Sequence, residues 1–193
     1  NDEKFNNSQT IYLNGVGGVF KVWGNTIYHR SNANVNSQIC IKEYSTGYDL
    51  DTVLVYNNTF IGQGPHAILD VTADITNDGV SYIRIFNNIF YSSNSNAYFR
   101  IASQQTPLID YNVYYKGGAV SSGWYYNGVN RSWDYWKGTL GFDSHSLYEI
   151  PEVQSTTDGN ENALPITSGN LDGAGFYLGL PFNSENPPNI GSK

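Results

Sequence analysis

Hydrophobic and polar positions recur along this chain in one frame: an alternating apolar run, an asparagine-centred corner, and a second short apolar run. The frame is sharpest in Val53-Leu54-Val55-Tyr56-Asn57-Asn58-Thr59-Phe60-Ile61 and Ile83-Arg84-Ile85-Phe86-Asn87-Asn88-Ile89-Phe90-Tyr91. It is legible in Phe20-Lys21-Val22-Trp23-Gly24-Asn25-Thr26-Ile27-Tyr28 and looser in Pro107-Leu108-Ile109-Asp110-Tyr111-Asn112-Val113-Tyr114-Tyr115. The aligned Asn25, Asn58, Asn88 and Asn112 are 33, 30 and 24 residues apart, a spacing typical of solenoid repeats. A second strand type repeats as well. Aligning Gln38, His66 and Asn96 sets Ile39-Cys40-Ile41-Lys42 over Ala67-Ile68-Leu69-Asp70 and Ala97-Tyr98-Phe99-Arg100, with offsets of 28 and 30.

Period-two alternation, β-branched and aromatic enrichment and Gly/Asn/Ser punctuation predict strands. A single coil of short strands cannot bury its inward side chains, so coils stack about 4.8 Å apart and bond to the coils above and below. The expected fold is all-β, a right-handed parallel β-helix of about four coils with an irregular C-terminal cap. Residues 1–118 are expected to form the coils, with a partial first coil at Thr10-Ile11-Tyr12-Leu13, and 119–193 the capping region on the same solenoid. Val22, Val55, Ile85 and Ile109 should form one inward ladder and Ile41, Leu69 and Phe99 another. The four asparagines should form a polar ladder at the corner, because Asn tolerates the left-handed conformation and its amide both donates and accepts. In the cap, Ser132-Trp133-Asp134-Tyr135-Trp136 reads as a short helix start with Ser132 as N-cap.

Composition narrows the function. The net charge is -7, from 10 basic and 17 acidic residues, and no basic run occurs. That argues against nucleic acid as a partner, since binding it requires a basic patch. No apolar run approaches the roughly 18–20 residues of a membrane-spanning helix. The single cysteine, Cys40, cannot form an internal disulfide. The 16 tyrosines and 4 tryptophans, set among many Asn, Gly and Ser, suit sugar faces as well as plain β-packing. Asn6-Asn7-Ser8, Asn57-Asn58-Thr59 and Asn130-Arg131-Ser132 match the glycosylation frame, with Asn57 disfavoured by its corner position.

The repeated Val-x-Val-x-Asn-Asn-Thr-Phe form and Ile109-Asp110-Tyr111-Asn112-Val113-Tyr114-Tyr115 resemble right-handed parallel β-helix proteins of the pectate-lyase-like superfamily. Trp133-x-x-Trp136, Gly141-Phe142-Asp143-Ser144-His145-Ser146, Leu164-Pro165-Ile166-Thr167-Ser168-Gly169 and Pro188-Asn189-Ile190-Gly191 resemble the C-terminal segment of secreted members. The resemblance implies a secreted or cell-surface protein acting on an extracellular polysaccharide, as a lyase or a glycoside hydrolase. Such enzymes commonly run to twice this length with an N-terminal helix over the first coil. The expectation is therefore the C-terminal part of a longer protein, or a first coil covered by another copy. The competing expectation is a non-catalytic structural or adhesive subunit that assembles through that end.

Polysaccharide cleavage requires a general base and acid, or a carboxylate pair, in a groove. The repeat alignment offers an outward column of Lys42, Asp70 and Arg100, with His66 and Glu43 nearby, as catalytic candidates. Such a column is also what a stacked sheet uses to keep like charges apart, and a structural ion-pair column is the favoured reading. A second outward column, Trp23, Tyr56 and Phe86, is the candidate sugar-stacking platform, unless the tail packs over it. His145 beside Asp143 suggests a structural hydrogen-bonded pair. No cofactor is expected, although Asp49-Leu50-Asp51 and Asp70-Val71-Thr72-Ala73-Asp74 could hold Ca²⁺ through oxygen ligands.

Overall fold

The computed structural model describes residues 9–14, 18–29, 37–42, 52–62, 67–72, 82–94, 96–102, 107–117, 121–153, 169–171, 173–178 and 189–191. Strands fall where the alternation places them. They are β1 (Gln9–Asn14), β2 (Val19–Trp23), β3 (Thr26–His29), β4 (Ser37–Lys42), β5 (Thr52–Tyr56), β6 (Thr59–Gly62), β7 (Ala67–Thr72) and β8 (Tyr82–Phe86). They continue as β9 (Ile89–Ser92), β10 (Tyr98–Ile101), β11 (Leu108–Asp110), β12 (Val113–Lys116), β13 (Trp124–Tyr126), β14 (Val129–Arg131) and β15 (Leu147–Tyr148). One short helical segment, Tyr135–Thr139, is wound as a π-helix. Ser132 Oγ accepts the Tyr135 N–H at 3.2 Å, the local bond expected of a helix-starting serine.

Three sheets result: β1-β4-β7-β10-β13-β14 (sheet A), β11-β8-β5-β2 (sheet B) and β15-β12-β9-β6-β3 (sheet C). The chain visits A, B and C in that order four times, from β1-β2-β3 to β10-β11-β12, and so rises through about three turns. Among the described residues every pairing is parallel except the β13–β14 hairpin. The molecule is a parallel β-solenoid. Strands β13 and β15 lie beyond residue 118 yet extend sheets A and C. Trp124, Trp136 and Phe142 are buried in the same core as Ile39 and Val55.

The inward residues of each sheet stand in rows. Val22, Val55, Ile85 and Ile109 are register partners on sheet B, as expected. On sheet C, Phe60 stacks on Phe90 at 5.1 Å and Phe90 on Tyr114 at 5.2 Å. On sheet A the neighbours are Ile39, Leu69, Phe99 and Trp124. The expected alignment of β4 was therefore two residues out: Ile39, not Ile41, stands beside Leu69, and Lys42 stands beside Thr72, not Asp70. A slip of two keeps every side chain on its own face, so alternation alone cannot detect it. The Asp70–Arg100 neighbourhood is as expected, past a register shift between Tyr98 and Phe99.

The corner between sheets B and C carries the asparagine ladder. The amide nitrogens of Asn25, main-chain and side-chain, both donate to Asn58 Oδ1, at 3.1 and 3.0 Å. Asn58 repeats this with Asn88 at 3.0 and 2.9 Å, and Asn88 with Asn112 at 2.9 and 3.0 Å. The Nδ2 groups of Asn58, Asn88 and Asn112 also donate to Val22 O, Val55 O and Ile85 O, each at 2.9 Å. The ladder thus satisfies backbone carbonyls at a buried turn, where an unpaired group would be costly.

The tail closes over the outer face of sheet C. Leu171 and Ile190 are buried against Ile89 and Val113. Gly191 (φ 102) is required there, since a Cβ would lie 2.6 Å from Ile89 Cδ1.

Candidate functional site

The outward positions of sheet B form three columns: Val19–Thr52–Tyr82, Lys21–Leu54–Arg84–Leu108, and Trp23–Tyr56–Phe86–Asp110. Val19, Trp23, Tyr82 and Leu108 are exposed on this face, and Phe176 and Tyr177 are exposed in the tail that borders it. Much of the apolar exposure of the described residues is thus gathered on this face. The expected platform of Trp23, Tyr56 and Phe86 is a true column, unequally covered. Trp23 is 41% exposed, Phe86 half-buried, and Tyr56 buried.

The tail is what covers it. Phe176 packs on Phe86 at 5.8 Å between ring centroids and on Tyr111 at 5.2 Å. Asn87 holds the Phe176 backbone at both ends, donating from Nδ2 to Phe176 O at 2.8 Å and accepting the Phe176 N–H on Oδ1 at 2.7 Å. Two residues on, Leu178 joins Thr52, Leu54, Tyr56, Tyr82 and Arg84 around a cavity of about 330 Å³. The Arg84 guanidinium lies 5.8 Å over the Tyr82 ring. Burial pushes the Tyr56 phenol up, and the charge and hydrogen bond of Arg84 pull it partly back.

Where the aromatic column ends, Asp110 takes the next place and holds His145. Asp110 Oδ2 is 2.7 Å from His145 Nδ1 and accepts the Ser144 hydroxyl at 3.0 Å. Its Oδ1 accepts the backbone N–H groups of His145 at 2.6 Å and Tyr111 at 2.9 Å. The imidazole lies flat on the Tyr111 ring, centroids 4.7 Å apart and planes 11° off parallel. The His145 side chain is 60% exposed and Asp110 only 18%. A carboxylate on Nδ1 sets the tautomer and leaves Nε2 as the group available to a reactant.

The sequence reading missed this pair. It set His145 beside Asp143, whereas Asp143 lies inside the solenoid. The legible signal was a carboxylate where Trp23, Tyr56 and Phe86 set an aromatic frame. A second was tyrosine at the corner position otherwise held by Gly24, Asn57 and Asn87.

Asp143 is fully buried beneath the asparagine ladder and terminates it. Its Oδ1 accepts Asn112 Nδ2 at 3.1 Å, the Tyr114 hydroxyl at 3.2 Å and the Ser146 hydroxyl at 2.6 Å; its Oδ2 accepts Trp136 Nε1–H at 2.9 Å. Burial raises its carboxyl to about 6, although these donors favour the ionised form. The same burial, with Asp143 close by, pushes the Tyr114 phenol well up.

Of the catalytic candidates, Lys42, Asp70 and Arg100 lie on sheet A, away from this face. Arg100 grips Asp70 through Nε–Oδ1 at 2.8 Å and through a second, Nη2–Oδ2 contact. That hydrogen bond raises the Arg100 pKa and keeps the guanidinium charged. Asp70 is 1% exposed whereas the Arg100 side chain keeps 33%, so this is a half-buried ion pair with its buried carboxylate already engaged. Lys42 lies in β4 without Asp70 as its neighbour, and His66 and Glu43 lie outside the described residues. Of the Ca²⁺ candidates, Asp49, Asp51 and Asp74 lie outside them too. Among the described residues no three His, Cys, Asp or Glu side chains gather as a metal site, and no helix is long and apolar enough to cross a membrane.

Fold and face together define a parallel β-solenoid with an aromatic outer face that leads to an Asp–His pair. Comparison with protein-family models, with curated proteins and with solved structures finds no match to this chain.

Proposed function

We propose that this is a carbohydrate-active β-helix protein, similar to the pectate-lyase-like superfamily, that binds an extracellular polysaccharide along the outer face of sheet B. The single observation that carries this is His145, oriented by Asp110 and open at Nε2, at the end of the Trp23–Tyr56–Phe86 column. Ring faces such as Trp23 and Tyr82 suit the apolar faces of sugars.

Between the two cleavage chemistries, elimination is the closer match. Hydrolysis uses two carboxylates astride one bond. Among the described residues this face offers Asp110, already engaged with His145. In elimination, His145 Nε2 would take the C5 proton beside a uronate carboxylate, the released electron pair would form the C4–C5 double bond, and the C4–O bond to the leaving sugar would break, its oxygen taking a proton from water. The strand positions of Arg84 and Asp110 lie roughly 8 Å apart, two residues along and one coil over, so Arg84 could neutralise that carboxylate. A secreted or cell-surface location follows from such a substrate.

The test is turnover of a panel of polyuronates and neutral polysaccharides, followed by ultraviolet absorbance of unsaturated ends and by reducing-end assay. His145→Ala and Asp110→Asn should each abolish turnover while the fold remains. Full activity in His145→Ala removes the reading.

A second reading, a structural or adhesive subunit, has its own observation. Inward residues of the first coil, Ile11, Leu13, Phe20, Val22 and Ile27, keep partial exposure, whereas Ile39, Val53, Val55 and Phe60 one coil on have none. Concentration-dependent assembly in sedimentation, blocked by Val22→Lys, would favour it.

A further inference from the structure

The corner between sheets B and C turns through one residue in the left-handed conformation on every coil: Gly24 (φ 67), Asn57 (φ 54), Asn87 (φ 57) and Tyr111 (φ 55). Glycine and asparagine tolerate this region; a bulky side chain there is an outlier held against its preference. Nothing in the corner's hydrogen bonding asks for tyrosine. The flanking Asn112 makes the same ladder bonds as Asn58 and Asn88. The strained residue is also the one whose ring lies flat on His145.

We infer that Tyr111 is a positioning residue: its ring is kept at a strained corner in order to hold the His145 imidazole in the plane that presents Nε2 to a reactant. The inference rests on the proposed role of His145. Asp110 alone fixes only one edge of the imidazole, through Nδ1. A ring that is 60% exposed and tied at one edge can still swing about its side-chain bonds. Tyr111 closes one side of that swing. It is itself backed by Phe176 at 5.2 Å and Phe86 at 6.5 Å, so the wall does not yield. The carboxylate is steadied independently, by the N–H groups of Tyr111 and His145 and by the Ser144 hydroxyl. The Tyr111 contribution to that is main-chain and survives any side-chain replacement except proline. Strain retained beside a reactive group is a recognised mark of pre-organisation.

Tyr111→Asn places at this corner the residue that serves at two others, and Tyr111→Phe keeps the ring. The denaturation midpoint of Tyr111→Asn should equal or exceed that of the parent. Its His145 ring protons should lose the ring-current shift seen by proton NMR. Its kcat should fall about tenfold or more, with a smaller change in KM, as expected when a reacting group is misplaced; Tyr111→Phe should match the parent in all three. A kcat in Tyr111→Asn close to that of the parent, whatever its midpoint, overturns the inference and makes Tyr111 ordinary packing. If the parent cleaves no polysaccharide, the polysaccharide reading falls, and the hold on His145 is read instead from its side-chain NMR relaxation, which should show a more mobile imidazole in Tyr111→Asn but not in Tyr111→Phe; equal mobility in all three proteins overturns it.

Discussion

Asp143 accepts the indole N–H of Trp136 at 2.9 Å, and both side chains are fully buried. The folded protein prefers this carboxyl protonated, since burial raises its pKa from 3.8 to about 6. The stabilisation from protonation is fully present below the unfolded pKa, near 4, and is lost as pH rises through about 6. The linked difference is about 3 kcal/mol. Urea unfolding should show this group favouring the fold more at about pH 4.5 than at about pH 7.5. Asp143→Asn should remove that share of the pH dependence. It should also lower stability by about 1–3 kcal/mol, because an amide turned either way sets one N–H against Trp136 or Asn112.

The asparagine ladder should weaken most from its middle. Asn88 is buried and serves Asn58 N and Nδ2, Val55 O and Asn112 Oδ1, whereas Asn25 is exposed. Asn88→Ala leaves several buried groups unpaired and should cost about 3–5 kcal/mol, against about 1 kcal/mol or less for Asn25→Ala. Chemical denaturation of both variants measures the contrast. Equal losses would mean that the ladder bonds do not carry the corner.

Arg100 and Asp70 are predicted to matter for stability and not for turnover. Removing Arg100 leaves a buried carboxylate uncompensated, so Arg100→Ala should lose about 2–4 kcal/mol. Replacing both partners with apolar residues of similar volume should recover much of it. Polysaccharide turnover by the doubly replaced protein, assayed well below its unfolding temperature, should be close to that of the parent. Its loss would return the sheet A column to the site.

Trp23 should contribute to binding with little contribution to folding. It is 41% exposed, so Trp23→Ala should change the unfolding midpoint only slightly. Polysaccharide affinity should fall by about 5–30-fold, the scale of one lost aromatic contact. Affinity electrophoresis compares the two proteins directly.

The fold was legible because each of its features is periodic. Alternation marked the strands, and the Asn25–Asn58–Asn88–Asn112 frame aligned sheet B residue by residue. The site was less legible, because its members come from different coils and act singly. Asp110 falls within a repeat and reads as one more outward residue. His145 has Asp143 two positions away in sequence, but Asp143 faces inward and Asp110 is the carboxylate within reach.

The sequence by itself determined the architecture, the inward ladders of sheet B and the asparagine corner, since these follow from local residue type and spacing. Only the tertiary structure decided three further points: the two-residue register of β4 against β7, the pairing of His145 with Asp110, and the lie of Phe176 over the aromatic column. A shift of two preserves facing, and contacts between distant segments leave no periodic trace. Packing and hydrogen-bond geometry in three dimensions select among arrangements that the pattern of apolar and polar residues leaves equivalent.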